Sequence, residues 1–258
     1  MVRVLAVSDV VEEGLYADIG PARGADIILG CGDLPFEYLG YLMNALDVPL
    51  VFVPGNHDPD LSGYRVSRAG LTLRAGLPAR PPWPDGAVSA DGRVVDVAGL
   101  RIAGLGGSRR YRAGPNQYSD RQQARRAWRL ALKARLHRSP GPRQGRARGL
   151  DVLLTHAPPR GVGDGTDPAH QGFPALNVLA ARLQPALLLH GHVDPDPAGQ
   201  RDHTLGRTLV RNATGWQLFD FEPATGRVAD VTGHHGGSSH SGSYRGAPYP
   251  RAGSHHAR

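Results

Sequence analysis

The chain has 258 residues, 40% apolar and 21% charged, which is enough for one large domain or two small ones with a sizeable core. No apolar run approaches the roughly 20 residues of a membrane span, and a single cysteine, Cys31, excludes an intrachain disulfide framework. The net charge of +7 is local: residues 121–148 hold ten Arg or Lys and no Asp or Glu, leaving 20 basic against 23 acidic residues elsewhere. Lys133 is the sole lysine, so the abundance of arginine reads first as compositional bias.

Residues 2–7 form a short apolar run that leads straight into a polar motif. It lacks the basic flank, long apolar stretch and small-residue cleavage site of a signal peptide, so a cytoplasmic protein is expected. Further apolar, β-branched runs follow at 26–29, 50–53, 94–97, 100–105, 152–155 and 186–189, each bounded by Gly, Pro or Asp. They read as buried strands ending in loops. Helix-compatible stretches lie between them at 36–46, 120–138 and 175–183. The alternation predicts a largely parallel sheet with covering helices. Residues 74–91 carry four prolines and are expected to form an irregular loop. Short strands at 208–212, 217–221 and 227–231, with turn-like spacers, suggest an antiparallel finish. One domain is therefore expected over 1–232. The Gly-, Ser- and His-rich stretch 233–258 reads as a disordered tail, because it has too little apolar surface to offset ordering. Its histidines carry no expected catalytic role.

The polar residues after the strands form the informative pattern. Asp9 follows the first strand, and Asp33 follows the second in Gly30-Cys31-Gly32-Asp33. Asn56, His57 and Asp58 follow the third in Gly55-Asn56-His57-Asp58. His156 follows the run at 152–155, and His190-Gly191-His192 ends the run at 186–189. Ligands of open α/β sheets bind at the carboxyl ends of strands, so these groups can converge. Carboxylate, amide oxygen and imidazole together suit Mn, Fe or Zn better than Ca or Mg.

This ordered set resembles the calcineurin-like metallophosphoesterase family, with motifs spanning residues 9–192. The resemblance implies an α/β (α+β) fold, a four-layer α/β/β/α sandwich of two mixed sheets, of the metallo-dependent phosphatase type. It also implies a binuclear centre of two divalent ions, with manganese the expected metal and iron or zinc the alternatives. Asp33 would bridge the ions. Asn56, His156 and His190 would complete one site, and Asp9 and His192 would serve the other. A metal-bound hydroxide would be the nucleophile, with His57 protonating the leaving oxygen and Asp58 placed to orient His57. The first motif departs from the family: the usual Asp-x-His reads Asp9-Val10-Val11. One site then lacks an imidazole and is expected to be weaker or more open, with Glu12, Glu13, Cys31 or water as substitutes. A subset of family members with a changed first motif acts on phosphodiesters, including cyclic nucleotides, rather than mainly on monoesters. A phosphodiesterase acting on a small nucleotide substrate is therefore the expectation. A phosphomonoesterase, or a polyanion-binding protein with a decayed centre, is the alternative.

Three further residues are candidate substrate contacts. Arg109 and Tyr111 follow the Gly106-Gly107 turn, which has the composition of a phosphate cradle, and His170 lies in the loop after His156. Each has an ordinary reading too, as a solvated turn or an exposed histidine. The basic segment 121–148 combines an amphipathic helix to residue 138 with a Pro/Gly/Arg linker. It reads either as a solvated face or as a contact surface for nucleic acid or another polyanion.

Overall fold

The computed structural model describes residues 1–67, 71–137, 149–195 and 200–234. Twelve strands build two mixed sheets. In chain order they are β1 (Val2–Ser8), β2 (Ile27–Gly30), β3 (Leu50–Phe52), β4 (Val88–Ser89), β5 (Val94–Val97) and β6 (Leu100–Leu105). These are followed by β7 (Val152–Thr155), β8 (Leu187–His190), β9 (Asp202–Leu205), β10 (Thr208–Asn212), β11 (Gly215–Glu222) and β12 (Arg227–His234). The helices are α1 (Glu13–Ala17), α2 (Phe36–Leu46), α3 (Asp120–Leu136) and α4 (Pro174–Leu183). The first sheet runs β12-β11-β1-β2-β3-β4 and the second β9-β10-β8-β7-β6-β5. β1, β2 and β3 are parallel, as are β6, β7, β8 and β10.

Strand alternation sorts the apolar side chains into three layers of contact. Val4 and Ala6 of β1 face the space between the sheets. There they join Ile27, Leu29, Val152, Leu154, Leu187 and Leu189 in one buried cluster. Leu5 and Val7 face the other way and pack with Leu15 of α1 and with Tyr38, Leu39 and Leu42 of α2. On the second sheet Ala103, Leu153 and Leu188 pack outward on Leu130 of α3 and Leu176 of α4. The order is helix, sheet, sheet, helix, the four-layer sandwich expected. Each fully buried leucine contributes about 1.5–3 kcal/mol to holding the layers together.

The helices begin and end where their local chemistry directs. Ser119 Oγ accepts from Gln122 N while Gln122 Oε1 accepts from Ser119 N, a reciprocal cap at the start of α3. Pro174 opens α4, where its missing N–H costs nothing.

Three expectations need adjusting. The antiparallel finish is split between the sheets: β11 and β12 pair antiparallel in the first, but β10 lies parallel to β8 in the second. The stretch 74–91 is not wholly irregular. Thr72–Arg74 pairs with Tyr64–Val66 on one side and Leu77–Pro78 on the other in a small three-stranded sheet, β4 joins the main sheet, and Trp83 is buried. The last strand runs to His234, two residues past the expected domain end. The linker at 139–148 and the tail from residue 235 lie outside the described residues. Among the described residues, no helix is long and apolar enough to cross a membrane.

Candidate metal centre

The ends of β1, β2, β3, β7 and β8 are tied into one cluster by short bonds. Asp9 N donates to Gly32 O at 3.2 Å, Gly191 N to His156 O at 2.9 Å, and His192 N to Asp9 Oδ2 at 2.9 Å. One donor atom from each of Asp33, His156 and His192 lies within 4.8 Å of the other two. The His156 Nε2 sits 3.0 Å from Asn56 Oδ1 and 3.3 Å from Asp33 Oδ2. Four of the six expected ligands are thus brought together, and Asp9 adjoins them through His192.

The backbone at this cluster is unusual. Asp9, Asp33 and His192 have φ of 64°, 57° and 69°, left-handed values that cost non-glycine residues energy and gather at functional sites. Gly191 is required where it stands: a methyl there would overlap Ser8 Oγ and Asp9 Oδ2.

The donor chemistry fits a cation. A ligating histidine usually gives its second ring nitrogen to a carbonyl or carboxylate, which fixes the tautomer and the ring. The His156 Nδ1 donates to Cys31 O at 2.7 Å, and the His192 Nε2 donates to Ala169 O at 2.8 Å. Each ring therefore keeps one nitrogen for a ligand. The titration behaviour agrees. Burial pulls His156 down, but the adjacent Asp33 carboxylate and Asp9 outweigh it and raise the imidazole to about 9. Burial, then the His156 charge, pushes His192 down to about 3. Asp9 is raised by burial. For Asp33, burial is outweighed by His156 and the carboxyl falls below its ordinary value. His156 and Asp33 therefore form a buried ion pair, with the His156 proton on the nitrogen that a cation would take.

His190 is placed elsewhere. Val152 and Leu154 face the inter-sheet core and His156 continues their phase, whereas on β8 it is Leu187 and Leu189 that face it. His190 therefore falls on the helix side with Leu188. Its ring is buried, its Nε2 has no partner among the described residues, and it faces Gly163. Burial lowers it to about 4. Counting outward from the strand in steps of two is the signal that separates His190 from His156.

Val11, which stands where the family has its first histidine, packs into the apolar cluster around α1 and α2. Among the described residues neither Glu12, Glu13 nor Cys31 joins the group of donors. Burial raises the Cys31 thiol well above its ordinary value, which keeps it protonated and a poor ligand.

The expected catalytic pair divides. His57 is exposed at the rim, with its N–H donating to Asp33 Oδ1 at 2.7 Å. Asp58 does not hold the His57 ring. Its Oδ2 accepts from Gly55 N at 2.7 Å and Asp33 N at 3.0 Å, so it pins the two ligand-bearing turns together. Burial, then repulsion from Asp33, raises Asp58 to about 7.

The expected substrate contacts also divide. Tyr111 OH accepts from Asn56 Nδ2 at 3.2 Å, which places it at the centre. His170 lies beside His192, with ring centroids 5.3 Å apart, and its Nδ1 bonds Asp167 at 2.8 Å. Arg109 is engaged by Asp120 and Gln171. The Gly106-Gly107 turn is no phosphate cradle, since its amides donate to Asp91 Oδ1 and Pro54 O. Arg112, which the sequence did not single out, reaches the centre instead: its Nη2 lies 3.1 Å from His57 Nδ1. Guanidinium only donates, so Nδ1 is the acceptor and the His57 proton sits on Nε2.

Comparison with known proteins agrees with this geometry. No curated protein matches the chain in sequence. Among solved structures, TT1561 of Thermus thermophilus is similar over 88% of this chain and 97% of its own, at 16% identity and a TM-score of 0.53. A second crystal structure covers 84% of this chain and 94% of its own, at 19% identity and a TM-score of 0.54. Both show the same fold. A family model described as calcineurin-like phosphoesterase matches residues 2–195, a span that contains every donor of the cluster. The chain belongs to the calcineurin-like phosphoesterase family, whose chemistry is the metal-dependent hydrolysis of phosphoester bonds.

Proposed function

We propose that this chain is a metal-dependent phosphodiesterase acting on nucleotide or cyclic-nucleotide substrates. One observation carries the reading: Asp33, His156 and His192 converge beside Asn56, with both imidazoles anchored through their far nitrogens. These four would hold one ion firmly, and Asp9 with the shared Asp33 would hold a second more weakly because Val11 turns away. Bound ions would supply charge neutralisation at phosphorus and a water of lowered pKa.

The chain's own residues divide the remaining work. The His57 Nε2–H is placed to hydrogen-bond the leaving oxygen and stabilise its developing charge; outright protonation would need His57 as imidazolium, with Nδ1 released from Arg112. Arg112 fixes the His57 tautomer and presents a guanidinium to a phosphate oxygen. Tyr111 holds the Asn56 amide with Oδ1 toward His156, where it would be available to an ion, and its ring offers a stacking surface to a base. Asp58 keeps the two turns in register. The preference for a diester is supported by the poorer second site, which is less suited to a dianionic monoester.

The test uses protein stripped with chelator and reloaded with Mn, Fe or Zn. A generic phosphodiester, its matched monoester and the His57→Ala variant are assayed side by side. Metal-dependent diester turnover that falls about 10²–10⁴-fold in the variant is expected. A monoester cleaved far faster than the diester overturns the diester preference alone. No turnover of either with any metal overturns the hydrolase reading in favour of a polyanion-binding protein.

A further inference from the structure

Helices α3 and α4 lie side by side on the second sheet, and the face they turn from the core is not closed. A groove of ≈ 230 Å³ runs between them, lined by Ala124, Ala127, Trp128, Ala131, Val178 and Arg182. The floor is low because its residues are alanines. The wall is apolar and open to solvent: Trp128 is 59% exposed and Val178 54%. Leu132 and Leu136, also exposed, continue the wall. Ala124, Trp128, Leu132 and Leu136 are four residues apart, so they form one stripe along α3. Beside it runs a second stripe with the same spacing, Arg121, Arg125 and Arg129, none of which bonds an acidic residue among those described.

This face asks for two things together: apolar side chains that enter a concave slot, and carboxylates that meet a row of guanidinium groups. A second copy of the chain would bring arginine against arginine. The chain segments outside the structure do not fit either. Residues 68–70, 138–148 and 235–258 contain no Asp or Glu, and 196–199 is four residues with a single acid. Nucleic acid would meet the arginines but leave the apolar slot unfilled, and an anionic lipid surface could take Trp128 and the leucines but is flat where the slot is concave. We propose that the α3/α4 groove docks an acidic amphipathic helix of a partner protein, its apolar ridge seated between Trp128 and Val178 and its carboxylates on the arginine row.

Trp128 reports on its own site, because Trp83 and Trp216 are buried. The probe is a helix-forming peptide of about 15 residues, rich in glutamate, with leucines spaced to form one stripe. Its partners in the test are the same composition with the leucines scattered, phosphatidylglycerol vesicles and single-stranded RNA. Expected are saturable binding of the striped peptide with a blue shift of tryptophan emission, and binding of the scattered peptide weakened about tenfold or more. Trp128→Ala and Arg125→Glu, both on the exposed face, should each weaken binding by about tenfold with helical content and phosphoester turnover unchanged. Three results would overturn the proposal: equal binding of the scattered peptide, indifference to Trp128→Ala, or capture of vesicles or RNA without capture of the striped peptide.

Discussion

The metal-free His156 carries a proton on Nε2, between Asn56 Oδ1 and Asp33 Oδ2, because its pKa stands near 9. A ligating imidazole must give that proton up. At pH 8 Asp58, at about 7, is already largely ionised, so cation uptake should release about one proton, from His156. Calorimetric titration in two buffers of different ionisation enthalpy measures this; heats that do not depend on the buffer would contradict it. Tyr111→Phe keeps the ring and removes the acceptor for Asn56 Nδ2. Metal affinity should fall about 10–100-fold, as for other groups that orient a ligand, with circular dichroism unchanged. At this scale the sequence exposed Asp33, Asn56, His156 and His192 because each ends a strand and carries a metal-binding group. It did not expose Arg112, since one exposed arginine among many leaves no mark until the 110–116 loop is folded over His57. His190 differs: its residue type and spacing fit a ligand, while the phase of β8 sets its buried Nε2 apart from the group formed by Asp33, His156 and His192.

Elements that deliver the ligands are held by turns with little room to change. A methyl at Gly191 meets Ser8 and Asp9, while one at Gly14, in α1, meets nothing within 4 Å. Gly191→Ala should therefore abolish tight metal binding. Gly14→Ala should raise stability by about 0.5–1 kcal/mol through helix propensity alone. Chemical denaturation and metal titration of the two variants check the contrast. The main strands were legible because they are buried on both faces and read as unbroken apolar runs bounded by turn residues. The helices 36–46 and 175–183 were legible to within a residue from composition and their flanking breakers. The small sheet at Tyr64–Val66, Thr72–Arg74 and Leu77–Pro78 was not, because its strands are two or three residues long and partly or wholly exposed, too short for a period to show. Strand β9 escaped notice because it packs as an edge and carries Asp202, His203 and Thr204 in place of an apolar run.

For the molecule as a whole, the same titrations set a stability profile. His156 rises from an ordinary 6.5 to about 9 on folding, so its contribution is complete below pH 6.5 and disappears as pH climbs through 9. Asp58, raised from 3.8 to about 7, acts with the same sign at lower pH. The melting temperature of chelator-treated protein should decline from pH 6.5 to 9, and saturating metal should flatten the decline, because a bound cation replaces the proton. A metal-free melting temperature that rises over that window would refute the assignment. The sandwich also has a seam. Its two sheets meet through an apolar layer, which resists separation but offers little hindrance to sliding, because dispersion contacts have no preferred direction along the plane. At the ligand end the seam is crossed differently. Asp9, Asp33 and Asn56 come from the first sheet, and His156 and His192 from the second. An ion held by both groups is a rivet through the two plates: shear of one sheet over the other loads directional bonds there before it disturbs the layer behind them.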